Sequence, residues 1–231
     1  MYPELDILYE DDRLIAISKP HGLLVHRTKI AADVDDVALT RVRDYLGCYV
    51  YPVHRLDRKT SGVLLFAKDP ETHKEMHAQF MERKVVKHYY SIVRGFTPGE
   101  MQIDYPIGEK ERKQEAITEF KTLKQYEIEL PFGKWDTSRY STVSIKPLTG
   151  RFHQIRKHMA HIRHPIIGDR PHGCNKQNRL WKETFNMTTM MLHAKRLELP
   201  YEEGKLVVEA PLSMELNRVI GILERGNINK N

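Results

Sequence analysis

One carboxylate stands among three cations in VHRLDRKTSG (residues 53–62), where Asp57 is flanked by Arg55, Arg58 and Lys59 and the stretch runs into the apolar Val63-Leu64-Leu65-Phe66-Ala67. One arginine would suffice for a surface ion pair, which contributes only about 0–1 kcal/mol. The preceding CYVYPVHRL is partly apolar, so the aspartate is expected at a strand end or turn on the wall of a cleft. Desolvation there raises a carboxyl pKa, and a nearby cation is needed to keep it ionised. In extended chain Arg55 shares the side of Asp57 and Arg58 points elsewhere. Two readings fit these residues alone: a buried structural bridge, or a carboxylate that performs chemistry with further cations for a substrate.

A second cluster, LTGRFHQIRKHMAH (148–161), opens on a Thr149-Gly150 turn and sets Arg151, His153, Gln154 and Arg156 around a helix start. Donors in that position suit a phosphate or a carboxylate. His153, His158, His161 and His164 do not read as a metal site: there is no HExxH, no acid stands among them, and His158 with His161 is an incomplete ligand set. They read as solvated or RNA-facing. In KHYYSIVRG (87–95) strand alternation sends Tyr89 and Ser91 to one face and Tyr90 and Ile92 to the other. One ring belongs in the core, and the other can line a pocket and stack on a base.

The elements that must hold these residues are short. LIAI (14–17), VLLFA (63–67), YYSIV (89–93), STVSI (141–145) and KLVVEA (205–210) read as strands. DPETHKEMHAQFMERK (69–84) reads as a helix capped by Asp69 with Pro70 at its first position and Met76, Phe80 and Met81 on one face. HQIRKHMAHIR places Ile155, Met159 and Ile162 on a stripe, with Gln154, Arg156 and His158 elsewhere on the surface. LSMELNRVIGILE is a further helix, and residues 98–139, mixing proline, glycine and charge, read as inserted hairpins or loops over one edge. Strands and helices do not alternate regularly, which argues α+β.

The 231 residues carry 37 Lys and Arg against 31 Asp and Glu, a net +6, with 40% hydrophobic residues. Disorder is excluded by that apolar content. The excess cations gather: residues 146–170 hold six against one acid, and RKVVKHYYSIVR (83–94) holds four and no acid. Such clustering suits a polyanion, and with aromatic and turn signals interleaved it favours nucleic acid. Two cysteines make neither a disulfide framework nor a zinc site. The acidic N-terminus and the lack of a long apolar run point to a cytoplasmic protein away from membranes.

Taken in order, HRLDRKTSG with LLFAK, KHYYSIVRG, LTGRFHQIRKHMAHIRHPIIGD and LHA resemble the motifs of the RluA family of RNA pseudouridine synthases. ILYEDDRLIAISKPHGLLVH is similar to that family's first strands and Lys-Pro-x-Gly turn, so the resemblance runs from about residue 7 to residue 211. It implies one catalytic domain over residues 1–231, without the small S4 domain that many members carry in front. It also implies an α+β fold with a mixed, mostly antiparallel sheet, flanking helices and loops around a central cleft. With LLVHR, QNR and RHPIIGDRPHG, the chain is most similar to the branch that acts on uridine 65 of certain tRNAs; ribosomal RNA is the alternative partner. Ser18 replaces a usual asparagine before Lys19-Pro20, and His172 replaces a common tyrosine before Gly173. Both departures bear on substrate branch more than on reaction.

The implied reaction is an isomerisation, so no cofactor and no metal are expected, and a monomer suffices. By resemblance Asp57 is the catalytic carboxylate and Arg156 the arginine paired with it. Tyr89 packs against the flipped uracil and takes its C5 proton, and Leu192 of LHA lines the pocket. Arg55 enters the gap left by the base, where a planar guanidinium can stack, and Arg58 with Lys59 holds phosphates. An inactive RNA-binding protein of the same fold would not need both Asp57 and Arg156. A metal-dependent nuclease would need a ligand set that the histidine spacing lacks.

Overall fold

Runs rich in β-branched and aromatic residues become strands, and capped amphipathic runs become helices, over residues 5–26, 36–108 and 112–228, which the computed structural model describes. In chain order these are β1 (Ile7–Glu10), β2 (Leu14–Lys19), α1 (Ala38–Leu46), β3 (Tyr51–Pro52), β4 (Ser61–Ala67), α2 (Pro70–Met81), β5 (Val86–Arg94), β6 (Glu100–Asp104), β7 (Ile117–Ile128), β8 (Ser138–Pro147), α3 (Gln154–His161), α4 (Asn175–Phe185), β9 (Leu192–Tyr201), β10 (Gly204–Glu209) and α5 (Met214–Gly226). They belong to two compact units, Met1–Lys87 with Ala194–Pro211, and His88–His193 with Leu212–Asn231. The elements are α+β in kind, as expected.

The first unit orders its strands β1-β2-β4-β9, with β3 on β4 and β10 on β9. β2 and β4 run antiparallel from Leu14 opposite Ala67 to Lys19 opposite Gly62. Every residue of β4 is buried, which is why its sequence from Gly62 to Ala67 is a continuous apolar run: a strand covered on both faces has no polar side to show. Its core gathers Leu14, Val63, Leu65, Met76, Leu197 and Leu199. α2 starts as expected, with the Asp69 side chain accepting from Thr72 N–H at 2.8 Å. Met76 is buried, but Met81 is 71% exposed, so it does not share the buried face expected for it; the helix ends there and has turned it outward.

The second unit orders β5-β8-β7-β6, all antiparallel. Of the two expectations for residues 98–139, hairpins hold and loops do not: the stretch contains β6, at the end of the strand order, and the 12-residue β7, paired antiparallel with β6 on one side and along its length with β8 on the other. Apolar alternation survives only at the ends of β7, where Phe120, Tyr126 and Ile128 are buried. Residues 121–125 between them bury nothing, and a bulge falls between Thr122 and Lys124. This core contains Tyr140, Ile145, Met159, Trp181, Leu192 and Val219. Among the described residues no helix is long and apolar enough to cross a membrane.

Candidate active site

In the first unit Asp57 sits between β3 and β4, in a turn closed by Thr60 N–H donating to the Asp57 carbonyl at 2.9 Å. Asp57 is half-buried, Leu56 is buried beneath it, and Arg55 and Arg58 are exposed. Lys19 forms the floor of the turn. It is fully buried, and its Nζ donates to the carbonyls of Pro20 (2.9 Å), Leu23 (2.8 Å) and Arg58 (3.2 Å). The Gly22 N–H donates to the same Arg58 carbonyl at 2.9 Å, and Arg58 Nε returns to the Gly22 carbonyl at 2.9 Å. An ammonium has three N–H donors, so this geometry uses all of them on main-chain oxygens. Burial pushes Lys19 down to about 7, with the Asp57 carboxylate opposing that shift and Arg58 adding to it.

Two further residues shape this turn. His54 Nε2 accepts from Leu65 N–H at 3.2 Å, and its ring stacks on Phe80 at 5.2 Å. Burial and then Lys87 push its pKa down to about 4, against a main-chain hydrogen bond to Arg55. The ring is thus neutral at pH 7 and carries its proton on Nδ1. Gly62 has φ +107°, and a Cβ there would lie 2.2 Å from the Ala194 carbonyl oxygen. The glycine after the Asp57 turn answers to the backbone of β9.

In the second unit the Thr149 turn is locked to α3 by Gln154. Its Oε1 accepts from Thr149 Oγ1 (2.7 Å) and Arg151 N–H (3.0 Å), and its Nε2 donates to the Ile117 carbonyl and Thr118 Oγ1, both at 2.9 Å. Gln154, Arg156 and His158 are 4%, 4% and 0% exposed, which corrects the expectation that they lie on the surface. Gln154 and Arg156 find polar partners inside the unit, and His158 finds one through Nε2 while its Nδ1 has none among the described residues, which keeps the cost of burial low for the first two. Arg156 is a fork on Asp169, Nε to Oδ2 at 2.7 Å and Nη2 to Oδ1 at 2.8 Å. His158 Nε2 lies 2.9 Å from the Tyr105 carbonyl, and His161 stacks on Tyr105 at 3.7 Å. Asn178 of α4 holds the Asp169 turn at both ends, donating to the Asp169 carbonyl (2.7 Å) and accepting from Gly168 N–H (2.8 Å).

Around the start of α3, Arg151 Nε donates to the Glu115 carbonyl at 3.1 Å. His153 has φ 57°, and its Nδ1 lies 2.9 Å from Nε2 of His172, the position that departs from the family pattern. Phe152, 61% exposed, stacks on His153 at 3.7 Å. Tyr89 and Tyr90 are both half-buried against the core that holds Leu192, so alternation does not send either ring fully inside. Burial pushes Tyr90 up to about 12 despite a hydrogen bond to Thr142.

The structure thus gathers Arg55, Asp57 and Arg58 on one turn of the first unit, and Arg151, His153, Gln154 and Arg156 on one helix start of the second. Among the described residues no three His, Cys, Asp or Glu side chains are arranged to hold a metal ion. Sequence reasoning gave no role to Lys19, His54, Asp169 or Asn178. The available signals were a lysine ending an apolar strand before a proline, and the one acid in the basic stretch 146–170.

Comparison with known proteins bears on these motifs. Residues 13–161 match the family model described as RNA pseudouridylate synthase. The tRNA pseudouridine synthase C of Salmonella typhimurium is 42% identical over 222 residues, covering 90% of this chain and 85% of that protein. Its counterpart in Haemophilus ducreyi is 41% identical over 225 residues, covering 92% and 93%. Among solved structures, Human RNA Pseudouridylate Synthase Domain Containing 4 aligns with a TM-score of 0.75 at 24% identity, covering 95% of this chain and 93% of that one. Human RNA Pseudouridylate Synthase Domain Containing 1 aligns at 0.73 and 23%, covering 97% and 98%. At such identities the solved structures establish the fold.

Proposed function

The chain belongs to the RNA pseudouridylate synthase family, whose members are isomerases, and from that premise we propose that it converts a uridine of tRNA, uridine 65, to pseudouridine. The relatives named tRNA pseudouridine synthase C, matching nine-tenths of the chain at about 40% identity, carry this reading over ribosomal RNA. In the reaction the N1–C1′ bond of the uridine breaks, the uracil turns, C5 bonds to C1′, C5 loses its proton and N1 gains one. Atoms and charge balance without any co-reactant.

Asp57 acts on the ribose as the catalytic carboxylate, and its turn is supported from behind by the buried Lys19. Arg156 is the catalytic cation, aimed by its fork on Asp169. Tyr89 packs on the flipped uracil and accepts the C5 proton, and Leu192 closes the apolar side. Flipping costs a few kcal/mol of stacking. The exposed Arg55 fills the gap, while Arg58, Arg151 and His153 meet phosphates. Gln154, with its amide engaged inside the unit, orders the Thr149 turn and does not reach RNA.

The test is release of tritium from C5 of labelled uridine, with chelator present, from unmodified tRNA and separately from ribosomal RNA. Release from tRNA alone, lost in Asp57→Asn, supports the proposal. Release from ribosomal RNA alone keeps the chemistry and overturns the substrate, and release from neither overturns both.

A further inference from the structure

In the second unit Phe132 and Trp135 face each other across a tight hairpin tip. Phe132 N–H donates to the Trp135 carbonyl (2.9 Å), and Trp135 N–H to that of Phe132 (3.2 Å). Residues directly opposed in an antiparallel pair present their side chains on one face. With Arg94, Gly95, Arg139 and Gln177 these rings line a cavity of about 220 Å³. That is smaller than the roughly 300–1,000 Å³ of pockets for drug-sized ligands, and suits one planar ring system.

Its electrostatics have one sign. The lining includes two arginines and no carboxylate. Arg94 lies 5.1 Å over the Phe132 ring, Lys134 4.9 Å over Trp135, and Arg139 5.0 Å over Phe96. Arg139 is shared with Glu127 at 3.2 Å, whereas Arg94 has no carboxylate partner among the described residues. Trp135 is 64% exposed, while Trp181, the other tryptophan, is fully buried.

The walls are held in place. Gly95 has φ +84°, and a Cβ on it would meet His164 Nδ1 at 3.1 Å. Its N–H donates to the Arg139 carbonyl (2.7 Å), and Ser141 Oγ donates to its carbonyl (2.8 Å). Gln177 is buried and donates to Tyr140 Oη at 2.9 Å. On the β5–β8 ladder Arg94 pairs with Tyr140 and Tyr89 with Ile145. Five residues of strand therefore separate this pocket from Tyr89, on the order of 17 Å.

We propose that this pocket is an RNA-reading subsite that takes one unpaired nucleotide of the substrate, its base on the Trp135 and Phe132 rings and its phosphate on Arg94. Exposed aromatic faces accept any base by stacking, and an arginine with no carboxylate partner among the described residues adds the anion preference. The proposal rests on the reading of the chain as an RNA-modifying enzyme, but the titration that decides it does not depend on turnover.

The full chain is titrated with a 5′-phosphorylated adenylate trimer, which contains no uridine to react, while tryptophan fluorescence is followed. Saturable quenching is expected, absent in Trp135→Phe and shifted to about tenfold weaker binding in Arg94→Gln. A glutamate peptide of equal charge is expected to leave the signal unchanged. In the tritium assay Arg94→Gln raises KM for tRNA about tenfold at unchanged kcat. No quenching by the trimer, quenching insensitive to Arg94→Gln, or equal quenching by the acidic peptide overturns the subsite. Failure of the pseudouridine reading appears separately, as no tritium release by the unsubstituted chain from any RNA, while the titration still decides the pocket.

Discussion

The Asp57 turn and the Arg156 helix start solve the same problem in opposite ways. The turn is fixed through its main chain, by a buried ammonium on three carbonyls and the exchange between Gly22 and Arg58. Arg55 stays outside that scaffold and exposed. Arg156 is fixed through its side chain, by a fork on Asp169 with both partners at or below 5% exposure. For a loop proposed to offer side chains to RNA, support through the backbone is the better arrangement, since those bonds do not compete with the ligand. A buried guanidinium has no such option, because a charge without its partner costs several kcal/mol.

Five experiments break or sharpen this contrast. Asp57→Asn is expected to reduce tritium release by about a thousandfold or more while tRNA affinity stays within a few fold, since the amide keeps the shape and loses the charge; near-normal turnover removes Asp57 from the chemistry. Asp169→Asn strands a buried charge and should lower unfolding free energy in urea by about 3–5 kcal/mol. The apolar pair Arg156→Met with Asp169→Leu should recover most of that stability and none of the turnover, separating the fold's use of the pair from the reaction's. Lys19→Met removes three main-chain hydrogen bonds and one buried cation of opposing cost, so a smaller loss of about 1–3 kcal/mol is expected, with a lower kcat and a KM changed less. An unchanged kcat would show that the turn needs no clamp.

The fourth experiment varies pH. His54 in the unfolded chain takes a proton near its ordinary 6.5, while burial holds the folded ring neutral down to about 4. Protons therefore favour unfolding in that window: the contribution is complete above pH 6.5 and is lost as pH falls toward 4. His21, pushed to about 4 by burial and by Lys19, Lys59 and Arg58, behaves alike. The melting temperature should fall with acidification across this window, and His54→Gln should flatten part of that slope. The smallest effect belongs to Arg55→Gln, for which a several-fold rise in KM and a salt slope for tRNA binding shallower by about one are expected.

Local signals were enough where a residue's role depends on its neighbours in sequence. The Asp69-Pro70 start of α2, the uninterrupted run of β4 and the ordered motifs could all be read directly. α1 and α4, which the sequence reading does not anticipate, lack such signals: Val37 and Cys174, which precede them, make no side-chain cap bond. The buried side of α3 reads as surface because its polar groups find their partners from afar, Gln154 at Ile117 and Thr118, and His158 Nε2 at Tyr105. Gly62 reads as a turn glycine until Ala194 is seen above it. No spacing rule reaches across 132 residues, the difference of those two numbers.

That division of the chain has a consequence for its biosynthesis. The first unit's core takes Leu197, Leu199, Leu206 and Val208, and the second's takes Leu216, Val219 and Leu223. A ribosome working at about 5–20 residues per second delivers Ala194 on the order of ten seconds after Gly62. Throughout that interval β4 has emerged without β9, the strand that will pair with it, and its apolar sequence is open to chaperones and to wrong partners. Neither unit can close before residues 197–223 have been made, so both are completed by nearly the same stretch of chain.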